Sequence, residues 1–582
     1  MREERNAKKD KSNKTHSLSR DPSFSIQKKK KPHASKSPGA LTSKPYAFTA
    51  RQWELKGTES VDVSDALGAA IRVDSRGPEV MRVVPLANDA VNEEWLSDRG
   101  RFQYDGLKRQ RLGVPMVRKS DGGGLVPSSW EEALGAAAKA LADAASSGGA
   151  HSVRAVAGKL ADVESMVALK DLLARLGSGD CTFEDATASG VDVTARGNYT
   201  LSTPGAGAPA PASSSPVGAA ALDGAGAILL VGANPRVECA VLNARLRRAW
   251  LGGAKIGVVG AAGGGADGDE IDLTYPYSHV GTTADALSAL AEGKGEFAAA
   301  LKEAAASSPG GARIIVGSSV AARREDSAAI VDAAHELARS LGGKAEVGFL
   351  HNDAARVGAA DVGFARSARA SAAAASGTSL PRVVFLLNSD DYDESLVPDG
   401  AFVIYQGHHG ERGAARADVV LPGAAFTEKD ATFVSTTGCA QRTRAAVPRV
   451  GDAREDWKIV RALSEVAGVA LPYDDAAAMR ERLSEIAPHL AAASRGAVPE
   501  ASPRPTPGLA AAVAAAVAGA GGGSGKKKAS RFSSAPLVPR LGPLGFHQTD
   551  VISRTSVVMA KAAASKRESV RASAEESSAM AA

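Results

Sequence analysis

The sequence predicts an α/β fold: parallel sheets flanked by helices, preceded by a small β-rich domain. Three observations carry that expectation. Unbroken apolar runs such as Ala227–Val231 (AILLV) recur through residues 126–490, as in strands buried on both faces. Stretches with apolar residues at steps of three and four separate them, as in helices packed on a sheet. Residues 39–113 instead hold short β-branched runs punctuated by glycine, as in a small antiparallel unit.

In that first unit, 60–63, 70–73 and 80–85 read as strands, with Gly68 and Gly77-Pro78 as turns. A dense set of specific residues follows, from Asn92 to Arg111. In the α/β region, Ser129-Trp130-Glu131-Glu132 is a capping box: the Ser129 hydroxyl accepts from the Glu132 amide and the carboxylate reaches back. Trp130, Leu134 and Leu141 continue that helix. Met166, Leu169, Leu173 and Leu176 stripe a second one. The Ala227–Val231 run ends at Gly232, and Asn234-Pro235-Arg236 opens a helix with proline in its tolerated first turn. Further strands are expected at 256–259, 313–316, 382–387, 402–405 and 418–421. Trp457, Val460, Leu463 and Ala467 stripe a last helix, stopped by Gly468. Residues 203–217 and 500–530 are rich in Pro, Ala, Gly and Ser, and read as an insertion and a linker. Residues 531–561 regain character as a C-terminal docking segment, and the tail from 562 is low in complexity.

Composition narrows the chemistry. Aromatics are 4% of the 582 residues, so the core must be built mainly from Ala, Val and Leu. No run of about 18 or more apolar residues lacks charge, so no direct membrane span is expected. Of the 70 Lys/Arg and 65 Asp/Glu, 12 and 4 fall in residues 1–36, leaving 58 against 61 in the rest. The body is nearly neutral, which argues against nucleic acid as its partner. The basic leader, residues 1–38, reads either as a mitochondrial transit peptide or as a solvated tail. Its Glu3, Glu4, Asp10 and Asp21 weigh against the former. The cysteines are Cys181, Cys239 and Cys439, with no CxxC spacing. Three scattered thiols make neither a four-thiolate cluster site nor a disulfide framework.

Candidate sites weigh against plain alternatives. The Gly232 turn could cradle a phosphate, but neither GxGxxG nor GxxxxGKS/T is present, so it reads as an ordinary strand-to-helix turn. Gly263–Gly265 and Gly268 read as a flexible insertion. Adjacent His408 and His409 lack the spacing of a metal pair on one helix face. Their loop is expected to line a cleft or an interface. Cys181 sits beside Asp180, Glu184 and Asp185, which raise a thiol's pKa and predict an unreactive side chain.

Longer strings carry a family resemblance. Residues 39–51 (GALTSKPYAFTAR), Trp53-Glu54-Leu55, 92–98 (NEEWLSD) and 104–112 (YDGLKRQRL) resemble the 75 kDa iron–sulfur subunit of respiratory complex I, NADH:ubiquinone oxidoreductase. So do 404–410 (IYQGHHG), 417–425 (ADVVLPGAA), 453–459 (AREDWKI) and, near the end, Thr549-Asp550 and Ile552-Ser553-Arg554. The resemblance covers about residues 39–561.

It implies the molybdopterin oxidoreductase fold of formate dehydrogenase and DMSO reductase for 126–490. It also implies a place in the peripheral arm on the matrix side of the mitochondrial inner membrane. The complex passes electrons from NADH to ubiquinone and pumps protons. Residues 39–113 would correspond to the end of an iron–sulfur domain. The family has a cluster-ligating Cys where Lys36 stands, three residues before Gly39. The expectation is therefore that this chain holds no cofactor of its own and that the Fe–S clusters belong to the family's missing N-terminal part. That part would be a partner polypeptide of a split subunit, or lost from a truncated gene model. Its other partners would be the remaining peripheral-arm subunits. Catalytic members of the fold hold a pterin–metal group in a cleft, and Cys181 lies near the place of their metal-ligating Cys or selenocysteine. Thr182 stands where formate-oxidising members have His. The residues of such a relict cleft would be Cys181, Asn234, Arg236, His408 and His409, with no catalytic residue and no metal ligand among them. The alternative is a molybdopterin-dependent oxidoreductase.

Overall fold

The computed structural model describes residues 43–119, 123–147, 151–184, 196, 199–201, 219, 222–260, 271–321, 323, 326–342, 344–364, 380–491, 532–539 and 545–568. The leader with Lys36, the stretches 203–217 and 500–530, and the glycines at 263–268 lie outside the described residues. The chain divides into two compact units, 1–47 and 48–582. Residues 43–47 of the first form a turn, with Tyr46 N donating to Ser43 O at 3.0 Å. Everything that follows belongs to the second.

The expected β-rich unit is a three-stranded antiparallel sheet, β1 (Lys56–Val61), β2 (Ala70–Arg76) and β3 (Glu79–Pro85). Gly77, at φ +60°, supplies the positive φ that a two-residue hairpin turn requires. The inner face of the sheet, with Ile71, Val73 and Val83, packs against Phe426, Phe433 and Ile552.

Two further sheets make up the expected α/β region. The strands of both follow in chain order. First come β4 (Met116–Arg118), β5 (Leu125–Pro127), β6 (Val153–Ala157) and β7 (Asp180–Phe183). Next are β8 (Ala227–Val231), β9 (Lys255–Val259), β10 (Ser278–Gly281), β11 (Ala312–Gly317) and β12 (Ala345–Leu350). Last are β13 (Val383–Leu387), β14 (Phe402–Gly407) and β15 (Val419–Pro422). The larger sheet has seven strands in the order β5-β4-β15-β14-β13-β6-β7. The last five in that order are parallel, and the β4–β5 hairpin adds an antiparallel edge. The smaller sheet is parallel throughout, in the order β10-β9-β8-β11-β12. A short hairpin, β16 (Thr432–Val434) and β17 (Ala440–Arg442), completes the set.

The helices follow from their sequence signals. Helix Trp130–Ser147 starts at the expected box: Glu132 N donates to Ser129 Oγ and Ser129 N to Glu132 Oε2, each at 3.1 Å. Helix Val163–Arg175 is capped by Asp162, whose Oδ1 accepts from Ser165 N at 2.9 Å. Helix Asp456–Val466 buries Trp457, Val460 and Leu463 and stops before Gly468 at φ +76°. The helix begun by Pro235 breaks at Cys239 and restarts as Ala240–Leu251. With so few aromatics, alanines face the sheets: Ala133, Ala137, Ala138 and Ala144 are all buried beside Leu141. Small side chains let helix and sheet approach closely without voids.

Candidate functional site

Open parallel sheets receive ligands beyond the carboxyl ends of their strands, where the strand order reverses. Among the parallel strands of the seven-stranded sheet the chain begins at β6, adds β7 on one side, and returns to add β13, β14 and β15 on the other. The reversal lies between β6 and β13. There Gly158 N donates to Leu387 O at 2.9 Å, and a Cβ on Gly158 would lie 1.9 Å from Asn388 O. Only glycine lets the two strand ends meet. Asn388 turns out of β13 in the left-handed region, at φ +50°.

The residues just beyond these ends are charged, buried and paired with one another. Lys429 reaches Asp162 at 2.6 Å and Asp456 at 2.5 Å, all three being buried. Burial works against the Lys429 ammonium, but the two carboxylates outweigh it and raise its pKa. Asp456 also accepts from Gln406 Nε2, through its carbonyl O at 3.0 Å. Glu164 accepts from Thr432 N at 2.8 Å and Thr432 Oγ1 at 2.6 Å. Tyr405 Oη donates to Asp390 Oδ2 at 2.7 Å, and burial lifts that carboxyl to about 7. Glu184, beyond β7, accepts from Ser389 Oγ at 3.2 Å and is raised well above the usual carboxylate range by burial.

His408 and His409 follow β14 and are buried. His409 Nε2 lies 3.1 Å from Gly106 O, and its Nδ1 lies 2.5 Å from His408 Nδ1. A carbonyl accepts only, so Nε2 carries the His409 proton, and His408 Nδ1–H donates to His409 Nδ1. Both rings are neutral. Burial pushes His409 down to about 4 and His408 well below its ordinary value, aided by nearby Arg111. Arg111 grips Glu428 with two bonds, of 2.6 and 2.7 Å, and its Nε donates to His408 O at 3.0 Å. The His–His loop therefore clamps residues 106–112 onto the sheet.

The C-terminal segment crosses the reversal itself. Lys159, beyond β6, contacts Asp391 Oδ2 at 2.6 Å and donates to Thr549 O at 3.1 Å. Arg554 bonds Asp391 at 2.9 Å and pairs with Glu411 at 2.7 Å. It sits on the short helix Val551–Thr555, capped by Asp550, which accepts from Ile552 N and Ser553 N.

The five cleft candidates are divided between the two sheets. His408 and His409 lie together at the strand ends. Cys181 is in the same sheet, but within β7 at its edge. Burial pushes its thiol up to about 12, with Lys170 lowering and Asp180 raising it. Asn234 and Arg236 belong to the other sheet. Asn234 N donates to Glu238 Oε2 at 2.5 Å, and Arg236 pairs with Asp272 near the surface. Sequence reasoning missed Lys429, Asp162, Asp456, Lys159, Asp390 and Arg554 as site residues. The one available signal was charge inside apolar strings, as Lys429 between Ala424-Ala425-Phe426 and Thr432-Phe433-Val434.

The fold and these strand ends define a class. The family model for molybdopterin oxidoreductase matches residues 111–466, and the chain belongs to that family. Within it, the chain is a homologue of the large iron–sulfur subunits of NADH–ubiquinone oxidoreductase. It is 42% identical over 534 residues to NADH dehydrogenase (ubiquinone) iron-sulfur protein 1, mitochondrial, of Solanum tuberosum, covering 90% of this chain and 64% of the relative. To the mitochondrial 78 kDa subunit of Neurospora crassa it is 42% identical over 538 residues, covering 91% and 65%. The chain thus spans just under two thirds of these relatives' length. The family model for the C-terminal region of the same NADH-ubiquinone oxidoreductase component matches 510–562. Among solved structures, acetylene hydratase from Pelobacter acetylenicus aligns with a TM-score of 0.52 at 13% identity, over 74% of this chain and 72% of that one. That likeness concerns the fold alone.

One expectation is overturned. The NDSU1/NuoG-like 4Fe-4S domain of NADH-ubiquinone oxidoreductase matches residues 55–105. The family's iron–sulfur domain is therefore on this chain. The expectation rested on Lys36 at a cluster-ligand position, whereas the matched stretch begins 19 residues further on. It contains no cysteine. Among the described residues no three His, Cys, Asp or Glu gather as metal ligands. Residues 55–105 offer no thiolate to a cluster. Nor does Cys181 fit a metal of the pterin type, since its thiol is raised by burial and closed inside a strand.

Proposed function

We propose that this chain serves as a core subunit in the peripheral arm of respiratory complex I, at the matrix side of the mitochondrial inner membrane. Its partners there are the neighbouring arm subunits, in a complex that passes electrons from NADH to ubiquinone. The names of its relatives support the placement. The observation that carries the role is the strand-end network: the reversal point of the larger sheet is filled by Lys159, Asp391 and Arg554 of the same chain. The five cleft candidates are then remnants of an enzyme fold turned to packing. The contribution of this chain is positioning: a framework that holds neighbouring redox subunits at fixed separation. No helix among the described residues is long and apolar enough to cross a membrane.

Depletion of the chain followed by native gel electrophoresis tests this. Loss of the assembled, NADH-oxidising complex is expected. An intact and active complex lacking the chain overturns the reading. So does stoichiometric molybdenum or tungsten in the purified protein, which would restore the oxidoreductase alternative.

A further inference from the structure

The smaller sheet repeats the geometry of the larger one. Its first strand is β8; β9 and β10 follow on one side, β11 and β12 on the other, so the order reverses between β8 and β11. At that point Ser319 Oγ donates to Gly232 O at 2.5 Å, and a Cβ on Gly317 would lie 2.4 Å from the same oxygen. Residues 532–539 lie over it. Leu537 is 1% exposed; its N donates to Thr282 O at 3.0 Å, just past β10. Its Cβ lies 3.4 Å from where a Cβ on Gly232 would be, and its O 2.9 Å from one on Gly260. Arg323 grips Asp326 with bonds of 2.6 and 3.0 Å, and Asp326 Oδ2 accepts from Ser533 N at 2.9 Å.

The same stretch then reaches the larger sheet. Thr549 and Arg554 cover the β6–β13 reversal as described. Arg99 Nη1 donates to Thr549 Oγ1 at 2.9 Å, Asp105 Oδ2 accepts from Val557 N at 2.9 Å, and a Cβ on Gly106 would lie 2.1 Å from Ile552 O. Glycine thus stands at three places where the segment's backbone or Cβ comes closest: Gly232 and Gly260 under Leu537, Gly106 under Ile552.

We propose that the two reversal-point crevices form one bipartite peptide-binding site, and that its ligand is the chain's own segment 532–556. The first half takes an apolar anchor, Leu537, with main-chain hydrogen bonds. The second takes a cation, Arg554, against Asp391 and Glu411. Between positions 539 and 545 the chain spans at most about 20 Å at full extension, so seating one half holds the other at high effective concentration. This assignment goes beyond the role in complex I and stands or falls separately from it.

The test uses the full chain with a protease site inserted within 521–525. After cleavage, the C-terminal piece is expected to stay bound through size-exclusion chromatography, and excess synthetic 532–556 peptide to displace it. Leu537→Asp and Arg554→Ala are each expected to speed its release at least about tenfold, since weakened contacts appear chiefly in the off-rate. Val538→Asp, at a half-exposed neighbour, leaves it unchanged. Separation of the piece from the cleaved wild-type chain overturns the proposal, as does retention that neither the peptide nor the two substitutions alter. If either variant fails to fold, the wild-type cleavage and peptide competition decide alone.

Discussion

Lys429 shows what a single residue contributes here. Its ammonium is enclosed between two carboxylates from separate helix starts, Asp162 and Asp456. Replacing the partner of a buried pair strands the charge that remains, at a cost of about 3–5 kcal/mol. Lys429→Met is therefore expected to lower the denaturant midpoint substantially, and a midpoint within error of wild type would contradict the account. None of this was legible in advance, because the partners lie 267 and 27 residues away. His408 and His409 were legible as a pair in a loop after a strand, but their contacts with Gly106 and with Arg111, through the His408 carbonyl, were not. Nor was their lowered pKa, since it comes from burial and from Arg111 of a distant segment, against the Gly106 carbonyl, which works the other way on His409.

At the scale of elements, the sequence spoke clearly where a strand was wholly apolar and faintly elsewhere. Ala227–Val231 is a strand with the expected bounds. Val153–Ala157 and Asp180–Phe183 were overlooked because each carries a charge: Arg154 and Asp180 sit on adjacent strands and cancel at 2.8 Å. Cys181 lies in the second of these, the edge strand of the larger sheet. The helix Val551–Thr555 has only five residues, too few to persist alone. It exists because it is seated, and Gly106 is part of the seat. Gly106→Ala is expected to raise amide hydrogen exchange at 551–556 markedly while leaving β6 and β13 protected. Unchanged protection at 551–556 would show that the seat accommodates a methyl group.

Over the whole molecule, the α/β class could be read from the alternation of runs. Which runs belong to which sheet could not, because each run looks alike and only the order of pairing separates them. The three thiols report on how these parts hold together. Burial raises Cys181, in the larger sheet; Cys239, beside the smaller; and Cys439, at the β16–β17 hairpin. Because residues 48–582 form one compact unit, alkylation in moderate denaturant is expected to proceed at one common rate for all three. Cys239 reacting ahead of the others would reveal the smaller sheet opening by itself. The segment at 532–556 also fixes an order of events in biosynthesis. Both sheets can pair as soon as Val419–Pro422 has emerged, yet their carboxyl ends stay wet until more than a hundred further residues have been made. At about 5–20 residues per second, the ribosome leaves those strand ends uncovered for about 5–25 s, the interval in which a folding helper has access to them.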